Sequence, residues 1–315
     1  TSTADLKRTA DVTITNGTNA EFSAFQFDHI GVGDKVIYNG VTAYITGRTD
    51  STHYSVGTAT GAALTNGGPY LVTSITRAFN SLYAAEAGAD DLFGATNLIT
   101  GEYQLNIPCY NDGADTVSAS TSMGVNITDW TTGPDNYIKI YTPTATTEVG
   151  ASQRHTGITG TGYTYRPTLT SGSAELIGIR ESYVRIEGID FDCSNVDIDG
   201  WFYGILLSDS NPLPTDIRLD SLLIHGLTIY GTASSNVTGI YAGSSSTITN
   251  SILYDFNAPN TNANTYVCAI YAIRTGSVHF WYNNIIYDLT GVCNGGLTGI
   301  NDDIGTVYAK NNYVG

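Results

Sequence analysis

The chain has 315 residues, of which 35 are Gly and 22 are Tyr, and only 13% are charged. Its 29 Asp and Glu outnumber its 13 Lys and Arg, for a formal net charge of −16 at pH 7, and the cations form no run. Neutralising phosphates takes clustered cations, so nucleic acid and anionic membrane surfaces are excluded as expected partners; the chain also lacks a sustained apolar run of membrane-spanning length, so no insertion is expected.

Hydrophobic residues make up 41% of the chain, enough to build a real core. Gly punctuates turns and Tyr favours strands, which points to an all-β, turn-rich protein. The four cysteines, Cys109, Cys193, Cys268 and Cys293, form no C-x-x-C pair. Buried thiols and a Cys268–Cys293 disulfide are both compatible with the sequence.

Residues 1–70 read as a small β-rich domain. Strand-like stretches at Lys35–Tyr38 and Thr42–Thr46 flank Asn39-Gly40, a hairpin signal because both turn residues need positive φ. Residues 71–95 read as a linker and a capping helix. The helix is expected over Ser74–Phe93, where Ile75, Phe79, Leu82 and Tyr83 recur at helical spacing. A lone helix ahead of many strands suits a lid over exposed strand edges.

From residue 96 to 315 the pattern is short strands and turns, with an internal repeat. EGIDFD (187–192), DSLLIH (220–225), NSILYD (250–255), NNIIYD (283–288) and NNYVG (311–315) start 33, 30, 33 and 28 residues apart. A second series interleaves with it: YGILLS (203–208), TGIYAG (238–243), CAIYAI (268–273) and TGINDD (298–303). A third strand precedes each Asn-type turn. Three strands per repeat of about 30 residues is one coil of a parallel β-helix. Coils stack at about 4.8 Å, so equivalent residues form columns. Ile205, Ile240, Ile270 and Ile300 are expected to stack inward, as are Ile189, Leu222, Ile252 and Ile285.

The column Asp220, Asn250, Asn283, Asn311 falls at a tight turn. Asn tolerates the left-handed conformation, and its amide can bond to equivalents in neighbouring coils. This run resembles the asparagine-ladder turn of pectate-lyase-like β-helix proteins. The resemblance covers roughly residues 95–315 and implies a right-handed helix. Earlier coils are less regular, and a polar insertion, Thr144–Pro167, containing Gln153-Arg154-His155, is a place where binding can reside.

Three constellations could carry chemistry. Asp192, His225, Asp255 and Asp288 align after the ladder; Asp192, Asp255 and Asp288 are candidate Ca²⁺ ligands, and Asp255 and Asp288, one coil apart, a candidate acid/base pair, against a reading in which each Asp ends a strand and bonds turn amides. On the outer face of the second series, Tyr241, Tyr271, Asn301 and Asp303, with Arg274 nearby, are candidate glycan-binding residues. Leu223, Leu253, Ile286 and Val314 form an apolar column expected to point outward under a partner, unless a bulge reverses the parity. The histidines are scattered, and Trp130, Trp201 and Trp281 read as core.

Relative to lyases on this fold, the outer face has too few acids. Relative to polygalacturonase-like hydrolases, no Gly-His-Gly segment is present. Gly315 follows directly on the last ladder turn, an open coil end that a fragment boundary or a neighbouring subunit would explain. The stretch IGVGDKVIYNGVTAYITGRTDSTHYSV followed by ITRAFNSLYAAEAGADDL resembles virion surface proteins of tailed phages. That resemblance implies an N-terminal attachment or assembly domain, a β-helix serving as capsid decoration, fibre or spike, and self-association or contact with other virion proteins on a virion surface or outside the cell. The expected function is structural, with a cell-surface glycan as ligand, no catalysis and no cofactor beyond Ca²⁺. A polysaccharide lyase or hydrolase, and a secreted adhesin or filament subunit, are the alternatives.

Overall fold

A computed structural model describes residues 4–229, 236–259, 266–291, 296–303 and 305–315. Strands β1 (Asp11–Thr15), β2 (Asn19–Phe22), β3 (Asp34–Tyr38), β4 (Val41–Arg48), β5 (His53–Gly57) and β6 (Gly67–Arg77) close an antiparallel barrel in the order β1-β2-β5-β4-β3-β6. The Asn39-Gly40 turn has the expected positive φ values of 45° and 74° and joins β3 to β4. Alternation along each strand buries Val12, Ile14, Phe22, Val36, Ile45 and Val56 in one interior.

The helix begins later than the periodicity suggests. Residues 67–77 form the longest barrel strand, pairing with both β1 and β3, and Ile75 is fully buried in the barrel core. A β-branched run beside open strand edges goes into the sheet, because tertiary pairing overrides the local helical spacing. Helix α1 spans Leu82–Phe93. Ser81 caps it, its hydroxyl accepting from the Ala84 amide at 3.0 Å, and Gly94 ends it in the left-handed conformation. Leu82, Ala85 and Ala89 join the core of the stacked coils, so α1 covers their first turn.

The remainder is a parallel β-helix of about six coils with three sheets. The first sheet runs from Leu105–Pro108 through Ile138–Tyr141, Val184–Glu187, Ile217–Asp220, Ser246–Thr249 and Val278–Tyr282 to Thr306–Lys310. The second runs from Met123–Ile127 through Ala174–Ile179, Phe202–Leu207, Asn236–Ala242 and Tyr266–Ala272 to Gly296–Asp302. The third runs from Thr164–Tyr165 through Asp190–Asp192, Leu223–Thr228, Ile252–Ala258 and Ile285–Gly291 to Tyr313–Val314.

Ile205, Ile240, Ile270 and Ile300 pair in register, and the first three are fully buried, as expected. The third sheet departs from the sequence alignment by one residue. The left-handed turn residues are Gly188, Ser221, Asn250, Asn283 and Asn311, so Ser221 rather than Asp220 is the backbone equivalent of Asn250. Phe191, Ile224, Leu253 and Ile286 are therefore the inward column, and all four are fully buried. Ile189 and Leu222 are buried at the turn, whereas Ile252 and Ile285 lie in an outward column with Leu223. The expected outward column of Leu223, Leu253, Ile286 and Val314 does not exist: Leu223 stays outward, but a one-residue slip puts Leu253 and Ile286 in the inward column, in register with Val314. Trp130 and Trp281 are core, but Trp201 is 48% exposed.

The Thr144–Pro167 insertion ties the barrel to the β-helix. The Val32, Arg48 and Gly150 amides bond Glu148 O, Thr147 O and Asp28 O. Gly31 lies so close that a Cβ there would sit 2.3 Å from Glu148 O. A buried ionic cluster reinforces the joint. Arg77, at the end of β6, donates to both Asp34 oxygens at 2.7 and 2.8 Å and to both Asp112 oxygens at 2.7 and 3.0 Å. Its guanidinium lies 3.6 Å from the Tyr110 ring centre.

Candidate functional site

The second sheet turns its tyrosines outward because inward positions in the same strands are taken by the isoleucine column. Tyr241 and Tyr271 are register partners in consecutive coils. Tyr203 sits diagonally below Tyr241, with ring centres 4.8 Å apart and planes inclined 58°. Tyr241 and Tyr271 meet edge-on at 5.9 Å and 76°. Inclined and edge-on contacts cover less of a ring face than a parallel stack does, so these half-buried tyrosines keep part of their aromatic surface toward solvent.

Polar groups flank these rings. The Tyr241 hydroxyl donates to Asp209 at 3.3 Å, and the Tyr271 hydroxyl donates to Asp303. Asn301 donates to the Tyr266 hydroxyl at 2.6 Å and reaches Asp303 at 3.5 Å. Burial, and then the adjacent carboxylates, push the Tyr241 and Tyr271 hydroxyls well above their ordinary range. Tyr241, Tyr271, Asn301 and Asp303 are thus bonded along one surface, and the Arg274 charge acts on the Tyr241 hydroxyl. Arg274 is exposed in the following turn, and its guanidinium takes part in none of these bonds. Tyr203, Tyr266 and Asp209 complete the surface. Sequence columns alone miss them, since they reach it by diagonal contact.

The candidate metal column is not one column. Asp192 pairs with His225, then with Tyr254 and Tyr287. Asp255 and Asp288 follow at equivalent exposed positions with φ of 57° and 55°, matching Gly226 at 75°. Asp192 lies four residues after its turn residue Gly188, whereas Asp255 and Asp288 lie five after Asn250 and Asn283, so the slip at the turn separates them. Among the described residues no three His, Cys, Asp or Glu side chains gather. His225, Tyr254 and Tyr287 stack nearly parallel, with ring centres 5.1 Å apart at each step, so their faces are spent on one another.

Asp190, beside this stack, is fully buried. His225 donates to one of its oxygens at 2.8 Å; the Thr159 and Thr164 hydroxyls and the Gly160 amide donate to the other. Burial would raise this carboxyl, but the bonds from His225, Gly160 and Thr159 outweigh it and hold the group below its usual value. His155 donates from Nε2 to Ser221 O at 2.8 Å, and its Nδ1 accepts the Gly157 amide, so the ring is held neutral and burial lowers its pKa. Gln153 accepts the Asn111 amide, and Arg154 reaches Thr142. The Gln153-Arg154-His155 segment is thereby occupied in holding the insertion against the coils.

The ladder residues are linked by side chains despite the backbone slip. Asn250 donates to Asp220 at 2.7 Å, Asn283 to Asn250 at 3.3 Å, and Asn311 to Asn283 at 3.2 Å. A second, inward ladder lies one residue on. Asn284 accepts the Ser251 amide and donates to Ile248 O, while Asn312 accepts the Asn284 amide and donates to Trp281 O, all within 3.0 Å. Cys109, Cys193 and Cys268 are buried free thiols, and Cys293 lies outside the described residues.

A cleft of about 760 Å³ opens between the barrel, α1 and the first coil. It contains none of the candidate glycan, metal or ladder residues, although Phe79, Leu82 and Cys109 line it. Pro108 lies on its floor in the edge strand Leu105–Pro108, where the missing amide blunts further pairing. No described helix is long and apolar enough to cross a membrane. Comparison with models of known protein families gave no match, and neither did comparison with curated proteins or with solved structures.

Proposed function

We propose that this chain is a non-catalytic structural protein of a virion surface, of the decoration, fibre or spike type, that binds cell-surface glycan along its second sheet. The inclined Tyr203–Tyr241–Tyr271 surface, bordered by Asp209, Asn301 and Asp303, carries the reading. Ring faces suit the C–H faces of sugars, and neighbouring carboxylates and amides suit hydroxyl groups. Asp209 and Asp303 each accept a tyrosine hydroxyl, which favours binding over acid/base chemistry there. The barrel, fixed to the β-helix through the insertion and the Arg77 cluster, serves as the attachment module, with self-association or other virion proteins as partners.

Replacing Tyr241 and Tyr271 together by Ala is expected to weaken binding to glycan-bearing cells at least tenfold while leaving the thermal transition sharp. Undiminished binding by that variant would sink the glycan assignment. Immuno-electron microscopy of virions from the source of the gene tests the setting. Surface labelling is expected, and labelling confined to particle-free medium would instead mark a secreted adhesin.

A further inference from the structure

The cleft beside α1 has the form of a ligand site. Its volume of about 760 Å³ falls within the range of roughly 300–1,000 Å³ typical of small-molecule pockets, and it lies at an interface between two structural units, where such sites concentrate. The helix packs the small side chains of Ala85 and Ala89 into the core with Leu105 and Ile107, while the alternate residues Gln104 and Asn106 stay exposed along the cleft.

The walls specify the chemistry. Tyr103, stacked on Phe93, and Tyr137, with the Arg185 guanidinium 3.6 Å from its ring centre, line it with rings that each have one face taken; Gln104 and Asn106 supply amides, and Thr58 and Thr60 supply hydroxyls. Asn106 projects outward beside Lys139 in register, and it is exposed. The cations are spoken for. Lys139 bonds Glu187 at 3.0 Å, and Arg77 is held by Asp34 and Asp112. Glu102, Asp135 and Glu148 also border the cleft, so the field inside is negative and disfavours an anionic ligand. Rings, amides and hydroxyls without a free cation match an uncharged sugar chain.

We infer that the cleft between the barrel, α1 and the first coil binds a short uncharged oligosaccharide, at a site separate from the tyrosine surface of the second sheet. This rests on the glycan-binding reading and adds a second site to it. The test is a printed array of neutral, sialylated, uronate and sulfated glycans probed with the labelled full chain, its Asn106→Trp variant, its Tyr103→Ala variant and the Tyr241→Ala/Tyr271→Ala double variant. Asn106→Trp fills the mouth from an exposed position, and thermal unfolding confirms that each variant is folded.

The expected result is a set of neutral glycans whose binding falls at least tenfold in Asn106→Trp and in Tyr103→Ala and persists in the double variant. Binding that survives both cleft variants but is lost in the double variant overturns the cleft and leaves the tyrosine surface standing. Binding confined to acidic glycans overturns the stated chemistry. Binding of no glycan at all removes both sites together.

Discussion

Asn284 shows how much one buried amide holds in a stacked-coil fold. Its side chain serves the Ser251 amide and Ile248 O in the neighbouring coil and meets Asn312 in the next. Asn284→Ala orphans a buried donor and a buried acceptor, at about 1–3 kcal/mol for each group left unpaired. Asn250→Gly keeps left-handed freedom and removes only a solvent-facing amide, so it is expected to cost under about 1 kcal/mol. Urea unfolding of the two variants checks the contrast, and equal losses would refute it. His279 couples folding to pH. It is fully buried, its Nδ1 accepting from Ser246 and its Nε2 donating to Ser277, and burial pushes its pKa down to about 4. The folded state therefore binds fewer protons than the unfolded chain between pH 6.5 and 4. Stability contributed by this group is complete above about pH 6.5 and is lost as pH falls toward 4, by about 3 kcal/mol in all. His279→Gln is expected to flatten that part of the pH profile, measured by unfolding at pH 7 and pH 4.5.

Among the elements, α1 depends on an acid it does not contain. Asp115, fully buried, accepts the Leu82 amide at 2.7 Å, the Tyr163 hydroxyl at 2.8 Å and the Val117 amide at 3.2 Å. It satisfies the first turn of the helix from the coil that the helix covers. Asp115→Ala strands these donors and is expected to cost about 3 kcal/mol. Hydrogen exchange should accelerate first in residues 82–93, and uniform acceleration across the β-helix would show that the cap is not a separate unit. The third sheet shows the opposite dependence. Its parity is set by turns and bulges at Ser221, Gly226, Asp255 and Asp288, each with positive φ, and not by alternation within its strands.

At the scale of the molecule, the joint between barrel and β-helix is ionic at its centre. Asp34 has no exposed surface, and burial pushes its carboxyl up to about 6 against the pull of Arg77. Arg77→Met leaves Asp34 and Asp112 without their cation, at a cost of about 3–5 kcal/mol. A carboxyl whose folded pKa is raised loses stability as pH rises through that value, so the difference between variant and parent should be larger at pH 7 than at pH 5. A difference that does not change with pH would show that Asp34 is not the group left unpaired. Because the cluster joins barrel strands to the first coil, the variant is also expected to separate one unfolding transition into two by calorimetry.

The sequence by itself determined the stacked coils, the inward isoleucine column, the Asn-Gly hairpin and the presence of a capping helix. These are readable because a period of about 30 residues, a turn dipeptide and apolar residues at helical spacing are local or repeated signals. It also grouped Tyr241, Tyr271, Asn301 and Asp303, since equal positions in a repeat become neighbours in space. Only the tertiary structure decided the rest. A single residue gained or lost at a turn reverses the side chains of the strand that follows it, so Leu253 and Ile286 went inside and Asp192 parted from Asp255 and Asp288. The segment from Ser74 to Arg77 became strand because barrel edges were waiting for it. The cleft and its walls join residues far apart in a chain whose barrel and coils share no repeat, and no periodicity could have announced them.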